Sequence, residues 1–185
     1  MSNKKSALCV AGLALAMGST VHADTGVYIG ARAGIELKDR FIYPSAPDVE
    51  ADTLYGGVLG WNFSDYWGVE VGYNEIGETV GRGVPDAGFT LDGDLATAGV
   101  TYRQSLGGDL EFISGLGAFD LSEDGTMNTI AGPRPIDHDD TGAYAEVGAR
   151  YRFGGGPFAV RASYQWFDFE DGNDGTPWVG VELGF

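Results

Sequence analysis

The feature that most constrains this chain is an alternation between apolar residues and polar residues or glycine, which recurs along the sequence. The clearest copy is residues 141–153, where the odd positions read Thr-Ala-Ala-Val-Ala-Tyr-Phe and the even positions read Gly-Tyr-Glu-Gly-Arg-Arg. Successive side chains of a β-strand point to opposite faces of its sheet. A strand with this sequence therefore has one apolar face and one face of charge and glycine.

Eight segments follow this pattern, and most are close to the ~9–11 residues with which a tilted strand crosses a membrane. They are residues 27–34, 55–63, 67–74, 91–103, 110–119, 141–153, 158–166 and 179–185. After residue 23, no stretch approaches the roughly 18 consecutive apolar residues of a membrane-spanning helix. We therefore predict an all-β fold, an eight-stranded antiparallel up-and-down transmembrane barrel whose apolar face meets lipid.

A soluble β-sandwich also alternates apolar and polar residues, so the alternation alone does not separate the two folds. Three further features favour the membrane barrel. The apolar face is uniform in all the clear segments, aromatic residues cluster near the segment ends, and the last segment ends on an aromatic residue. Lipid also requires the sheet to close, because an open edge would leave backbone groups without hydrogen bonds.

The segment 91–103 does not divide cleanly into two faces. Asp92 and Asp94 share their parity with Ala98 and Val100. Because charged side chains destabilise the lipid-facing side of a barrel strand, the sequence predicts that a β-bulge or a loop edge resets the register within this segment.

The connections between the segments alternate in length. Residues 64–65, 104–109 and 154–157 form short connections, and residues 36–53, 76–87, 122–140 and 168–176 form longer ones. Outer-membrane barrels have short periplasmic turns and longer extracellular loops. We therefore expect four extracellular loops, with both ends of the barrel domain on the periplasmic side.

The first 23 residues are expected to be a cleaved secretory signal. Lysines at positions 4 and 5 precede an apolar run over residues 7–17, and small residues stand one and three positions before Asp24. This order of charge, apolar run and cleavage site is typical of export signals. The barrel domain is therefore expected to span residues 24–185.

The charge balance restricts the partners. The chain has 27 acidic and 11 basic residues, for a formal net charge of -16. A nucleic-acid partner is not expected, because such proteins need a basic surface to meet phosphates. The one cysteine, Cys9, lies in the predicted signal, so the exported domain is expected to have no disulfide. We expect a monomer.

The polar face of the predicted barrel carries a set of charged residues of both signs. On the assigned parity these are Arg32, Glu70, Glu111, Glu146, Arg150, Arg152, Arg161 and Glu182. The lumen of an eight-stranded barrel is wide enough only for side chains, and buried charges are tolerable there when they are paired. Two interpretations stay open. The favoured one is a plug of ion pairs, and the other is a narrow pore gated by rearrangement of the pairs.

Catalysis and metal binding have weak sequence support. A serine or cysteine nucleophile needs a base, most often histidine, and His138 is the one histidine after residue 23, with no serine placed beside it by pattern. The acidic stretches 136–140 and 168–175 carry oxygen ligands suited to Ca²⁺ or Mg²⁺, but they lack EF-hand spacing. We predict solvated loops, no catalytic residues, no metal site and no cofactor.

Three stretches support a family resemblance: GVYIGARAG at residues 26–34, GWNFSDYWGVEVGY at residues 60–73 and VGVELGF at residues 179–185. With them, the chain resembles the OmpA-like transmembrane domain family of eight-stranded outer-membrane barrels. The resemblance implies that Phe185 is part of the signal read by the barrel-assembly machinery. Larger members carry a peptidoglycan-binding domain after the barrel, and that function is not carried over.

The resulting expectation is a structural and surface-interaction protein of the outer membrane. Its expected partners are outer-membrane lipid, lipopolysaccharide and the barrel-assembly machinery. The alternative is a narrow porin-like channel for ions or very small solutes. A lipid-modifying enzyme is the third and least favoured function.

Overall fold

The structure is a computed structural model that describes residues 26–35, 48–49, 53–82, 88–129, 131–169 and 172–185. The predicted secretory signal lies outside the described residues. Within them, no helix has the length and apolar character needed to span a membrane.

The described chain forms one antiparallel sheet that closes on itself. Its strands are β1 (Gly26–Ile35), β2 (Asp48–Val49), β3 (Thr53–Asn62), β4 (Trp67–Arg82), β5 (Gly88–Gly107), β6 (Leu110–Thr129), β7 (Gly132–Arg152), β8 (Phe158–Phe169) and β9 (Gly172–Gly184). Strand β1 pairs with both β3 and β9, and β4 pairs with β5, which completes a ring of eight strands. The two-residue strand β2 adds to the outer part of β4. The predicted eight-stranded barrel is confirmed.

The alternation in sequence becomes the inner and outer surfaces of the barrel. In β6, the side chains of Ile113, Phe119 and Leu121 are buried in the interior, whereas Leu116 on the opposite parity is 70% exposed. Val179 and Val181 of β9 are likewise on the outside. Apolar side chains on the outer face of a closed barrel suit a lipid environment.

Aromatic side chains gather at both ends of the apolar outer surface. At the end with the short turns, three edge-to-face pairs form: Trp61 with Phe63, Trp67 with Tyr102, and Tyr151 with Phe153. Toward the other end, the ring centroids of Tyr164 and Trp166 are 4.6 Å apart. Aromatic rings at these two levels are typical of side chains that lie at the membrane–water interfaces.

The three short connections are tight turns, as predicted. The turn after β7 uses Gly154 and Gly155 at φ angles of 60° and 66°, which glycine adopts without steric cost. The carboxylate of Asp109, in the neighbouring turn, accepts hydrogen bonds from the backbone N–H groups of both glycines at 3.1 Å. Two adjacent turns are thereby fixed to one another.

The prediction that residues 122–140 form a loop is wrong. Strands β6 and β7 stay in register from Leu110 opposite Tyr151 to Thr129 opposite Gly132, so most of this region is a long hairpin. Residues 122–140 lack the apolar alternation of the predicted strands. Strand β7 includes Pro133 and Pro135, although proline lacks the N–H that a central strand needs. In the described residues, β7 pairs with β8 only from Ala143 onward, so both prolines lie in an edge strand, where proline is tolerated.

The predicted loops 76–87 and 168–176 are also shorter than expected. Strand β4 continues to Arg82 and β5 begins at Gly88, while β8 continues to Phe169 and β9 begins at Gly172. Two hairpins, β4–β5 and β6–β7, therefore extend beyond the rest of the barrel on the side away from the short turns.

The predicted register reset within residues 91–103 is wrong as well. Strand β5 pairs with β6 without interruption from Phe89 to Ser105, and the irregularity lies instead in β4, between Ile76 and Thr79. Asp92 and Asp94 keep the outward parity and are exposed. The Tyr73 hydroxyl donates a hydrogen bond to Asp94. These two carboxylates belong to the extended hairpin, where an outward charge faces water.

Candidate functional site

The barrel interior is the candidate site, and all eight charged residues predicted for it have inward-facing side chains. Arg32, Glu70, Glu146, Arg150 and Glu182 are buried, and Glu111, Arg152 and Arg161 are partly buried. The network divides into a centre around Arg161, a second group around Arg150, and Arg32, which has different partners.

Arg161 of β8 bridges carboxylates from three other strands. Its Nη1 lies 2.5 Å from Glu70 Oε2 and 3.2 Å from Glu182 Oε1, and its Nη2 lies 2.6 Å from Glu146 Oε1. Gln165 donates a further hydrogen bond to Glu146 at 3.0 Å. The planar fork of an arginine suits such multiple contacts, because its donors have fixed directions. Arg161 therefore ties together β4, β7, β8 and β9 inside the barrel.

A second group of ion pairs lies nearer the short turns. Arg150 Nε is 2.6 Å from Glu182 Oε2, and Arg150 Nη1 is 2.9 Å from Glu111 Oε2. Arg152 also bonds to Glu111. Since Glu182 contacts both Arg150 and Arg161, the two groups form one continuous network across the lumen.

Arg32 is held by neutral groups rather than by a carboxylate. Its Nε donates to Asn74 Oδ1 at 2.8 Å, its Nη2 lies 3.4 Å from Thr97 Oγ1, and its guanidinium stacks over Trp178 at 4.4 Å. Gly72 leaves the space for this arrangement, because a Cβ there would lie 2.7 Å from Arg32 Nη2. The structure thus places Arg32 inside the barrel but apart from the glutamates.

Two interior residues escaped the sequence prediction. The Tyr28 hydroxyl donates to Glu70 at 2.6 Å, and Arg103 stacks over the Tyr28 ring at 5.1 Å. Gly60 makes room for this tyrosine, since a Cβ there would lie 2.0 Å from its ring. Arg103 was missed because the expected reset in β5 left its face unassigned. An unbroken parity from Leu95 would have placed it inside.

An apolar layer fills the lumen on the side of the extended hairpins, and it too was missed. Its buried members are Leu54, Ile76, Leu95, Phe119, Leu121, Tyr144, Phe167 and Trp178, with Phe169 packed against them. The Phe119 ring makes edge-to-face contacts with Phe167 and Phe169, at centroid distances of 5.4 and 4.8 Å. The ion-pair network and this layer occupy successive depths of one lumen.

The space that remains between described side chains is unevenly distributed. A void of about 10 Å³ lies between Arg32 and Arg161, roughly the volume that a single water needs. A larger cavity of about 230 Å³ lies at the short-turn end. The packed middle of the barrel separates this cavity from the extended hairpins.

The barrel fold agrees with a comparison of the sequence to known families. The family model described as "Outer membrane protein beta-barrel domain" matches residues 6–185. The chain belongs to this family. Membership in this family places the protein in the outer membrane. It also confirms the expected resemblance to eight-stranded barrels of that membrane.

Solved structures of other outer-membrane barrels share the fold at low sequence identity. The N-terminal β-barrel domain of Pseudomonas aeruginosa OprF is 18% identical with a TM-score of 0.59, over 87% of this chain and 99% of that domain. Ail of Yersinia pestis, solved with the heparin analogue sucrose octasulfate, is 16% identical with a TM-score of 0.58, over 87% and 97%. OprG of Pseudomonas aeruginosa is 17% identical with a TM-score of 0.57, over 88% and 97%. No curated protein sequence matches the chain.

The acidic residues of this outer-membrane barrel are spread along the β6–β7 hairpin rather than gathered at a point. Asp137 and Asp139 are exposed on one face of β7, whereas Asp140 has the opposite parity and is buried. Among the described residues, no group of three or more histidine, cysteine or acidic residues is placed to hold a metal ion. His138 lies opposite Glu123.

Proposed function

We propose that this outer-membrane barrel is a monomeric structural and surface-interaction protein that does not conduct ions and does not catalyse a reaction. The observation that supports this proposal is that side chains fill the lumen at two successive depths. The ion-pair network around Arg161 occupies one depth of the lumen, and the apolar layer around Phe119 occupies the next.

The alternative function, a narrow pore, is less well supported by this arrangement. Moving Arg161 away from its carboxylates would open the lumen only at the depth of the ion-pair network. The apolar layer would stay closed, because it has no charges to rearrange. An apolar constriction also opposes the passage of hydrated ions. A pore would therefore require both depths to change together, and conductance measurements distinguish the two functions.

The extended hairpins support the surface-interaction part of the proposal. In outer-membrane barrels the side opposite the short turns faces outward. In the outer part of the β6–β7 hairpin, Arg134 is the one arginine or lysine among the described residues, beside four exposed carboxylates: Asp120, Asp124, Asp137 and Asp139. This charge favours cationic partners or divalent-ion contacts with lipopolysaccharide over sulfated polyanions such as the ligand solved with Ail.

The surface role is tested by shortening the hairpin. Leu121 and Asp140 are cross-strand neighbours, so residues 122–139 can be replaced by Asn-Gly, which favours a two-residue hairpin turn. This removes the exposed carboxylates of Asp124, Asp137 and Asp139. We expect this variant to fold and to restore the detergent resistance of a deletion strain as well as the unmodified protein does. Retention of the cells on an amine-coated surface should fall to the level of the deletion strain.

Two results would count against the proposal. One is a deletion strain whose detergent resistance and surface retention both equal those of the parent strain. The other is an altered lipid A acylation pattern in the deletion strain, which would indicate a lipid-modifying enzyme.

The exposed Phe185, whose backbone N–H donates to the Val27 carbonyl at 2.8 Å, is proposed as part of the assembly signal.

A further inference from the structure

The cavity at the short-turn end has an unusual lining. Three arginines line its volume of about 230 Å³, Arg103, Arg150 and Arg152, together with Tyr28 and Asn62. The remaining lining comes from glycines, Val27, Pro157 and Phe185. Among these described lining residues there is no aspartate or glutamate side chain. The charge of the lining side chains is therefore positive, because the glutamates that pair with Arg150 and Arg152 are not themselves in the lining.

Arg103 differs from the other arginines of the lumen. Arg150, Arg152 and Arg161 each bond to a carboxylate, and Arg32 bonds to Asn74 and Thr97. The Nη2 of Arg103 is buried without a hydrogen-bond partner, and its described contact is the face of Tyr28. A buried donor without a partner costs free energy, and such a group calls for an acceptor.

The described charges of the network are also unbalanced, because the arginines outnumber the glutamates. Arg32, Arg103, Arg150, Arg152 and Arg161 face Glu70, Glu111, Glu146 and Glu182. Among these side chains one cation is in excess, and Arg103 is the arginine with a buried nitrogen, Nη2, that has no hydrogen-bond partner. An anion bound beside Arg103 would offset its charge and accept hydrogen bonds from the part of the guanidinium that lines the cavity.

We propose that this cavity binds a small anionic solute from the periplasmic side through a phosphate or carboxylate group. The Arg103 guanidinium is the principal contact, and Arg150 and Arg152 contribute positive potential while remaining paired with Glu111. The planar fork of arginine matches the geometry of both oxyanions. The site lies at the opposite end of the barrel from the acidic hairpins and does not depend on their function.

The test follows the Nε–Hε resonance of Arg103 by NMR in the refolded protein in micelles. Inorganic phosphate, succinate and sodium chloride are titrated separately at matched ionic strength. We expect a saturable shift with phosphate, succinate or both, and no saturation with chloride. Saturation by phosphate alone identifies a phosphate group as the ligand, and saturation by succinate alone identifies a carboxylate.

The variants make the result specific to the cavity. Binding to the variants is measured by isothermal titration calorimetry, because replacing Arg103 removes its Nε–Hε resonance. Arg103→Gln should weaken the binding by about tenfold or more, since it removes the charged donor. Arg134→Gln removes the same charge from the exposed hairpin and should leave the binding unchanged. If Arg103→Gln does not fold, Arg103→Lys keeps the charge but loses the fork, and it should still bind more weakly. Shifts that follow ionic strength alone, or equal binding by the Arg103 and Arg134 variants, would overturn the proposal.

Discussion

Replacing Arg161 with glutamine is expected to lower the free energy of unfolding by about 3–5 kcal/mol, the range seen when one partner of a buried ion pair is removed. The reason is that Glu70, Glu146 and Glu182 would each lose a contact to the same guanidinium. Three buried carboxylates would then lie close together with less positive charge to offset them. Unfolding by urea in detergent micelles, followed by tryptophan fluorescence, measures the change.

A second substitution and a distant control show whether pairing is the cause. Adding Glu146→Gln to Arg161→Gln removes one of the unpaired carboxylates and should recover part of the loss. Arg134→Gln takes an arginine from the exposed hairpin and should change stability by less than about 0.5 kcal/mol. Equal effects of Arg161→Gln and Arg134→Gln would show that the interior pairs do not hold the barrel.

Replacing Phe119 with alanine is expected to cost a similar amount, about 3–5 kcal/mol, as for other buried aromatic residues cut to alanine. Phe119 is 3% exposed and packs edge-to-face against Phe167 and Phe169. Its loss would leave a cavity in the apolar layer, which the closed and hydrogen-bonded wall of the barrel cannot collapse to fill. The same urea titration provides the measurement.

The matched control for this substitution is Phe158→Ala. Phe158 is also a phenylalanine in a barrel strand, but it faces outward and is 61% exposed. Lipid or detergent fills the space that its ring leaves, so the loss of stability should be less than half that of Phe119→Ala. If the two variants lose equal stability, the apolar layer is not a packed core.

The strand positions and faces were predictable because side-chain direction alternates strictly along a strand. Residues 141–153 show this directly, since Glu146 and Arg150 lie inside, as their parity predicted, and Ala149 lies outside. The ion-pair partners were not predictable. Arg161 meets Glu70 across 91 positions of sequence, and that approach depends on how the whole ring of strands closes.

The apolar layer and the long hairpins were missed for a related reason. Parity gives the face of a residue but not its depth, so Phe119 and Trp178 could be assigned inward without any indication that they meet. Residues 122–140 were assigned to a loop because the apolar alternation stops at both ends of this stretch, whereas a hairpin beyond the lipid needs no apolar outer face. A register reset was expected for Asp92 and Asp94 because parity does not show that these residues lie beyond the apolar outer surface of the barrel.

Single-channel conductance of the refolded protein in a planar bilayer tests the central claim, that the lumen is closed at two depths. A shift in gel mobility between unboiled and boiled samples first shows that the protein is folded. We predict a silent bilayer from such a folded sample, and from Glu146→Gln as well, because the apolar layer remains closed in that variant. Discrete openings from the folded protein, with an amplitude or frequency that changes in Glu146→Gln, would contradict the closed lumen and establish the narrow pore.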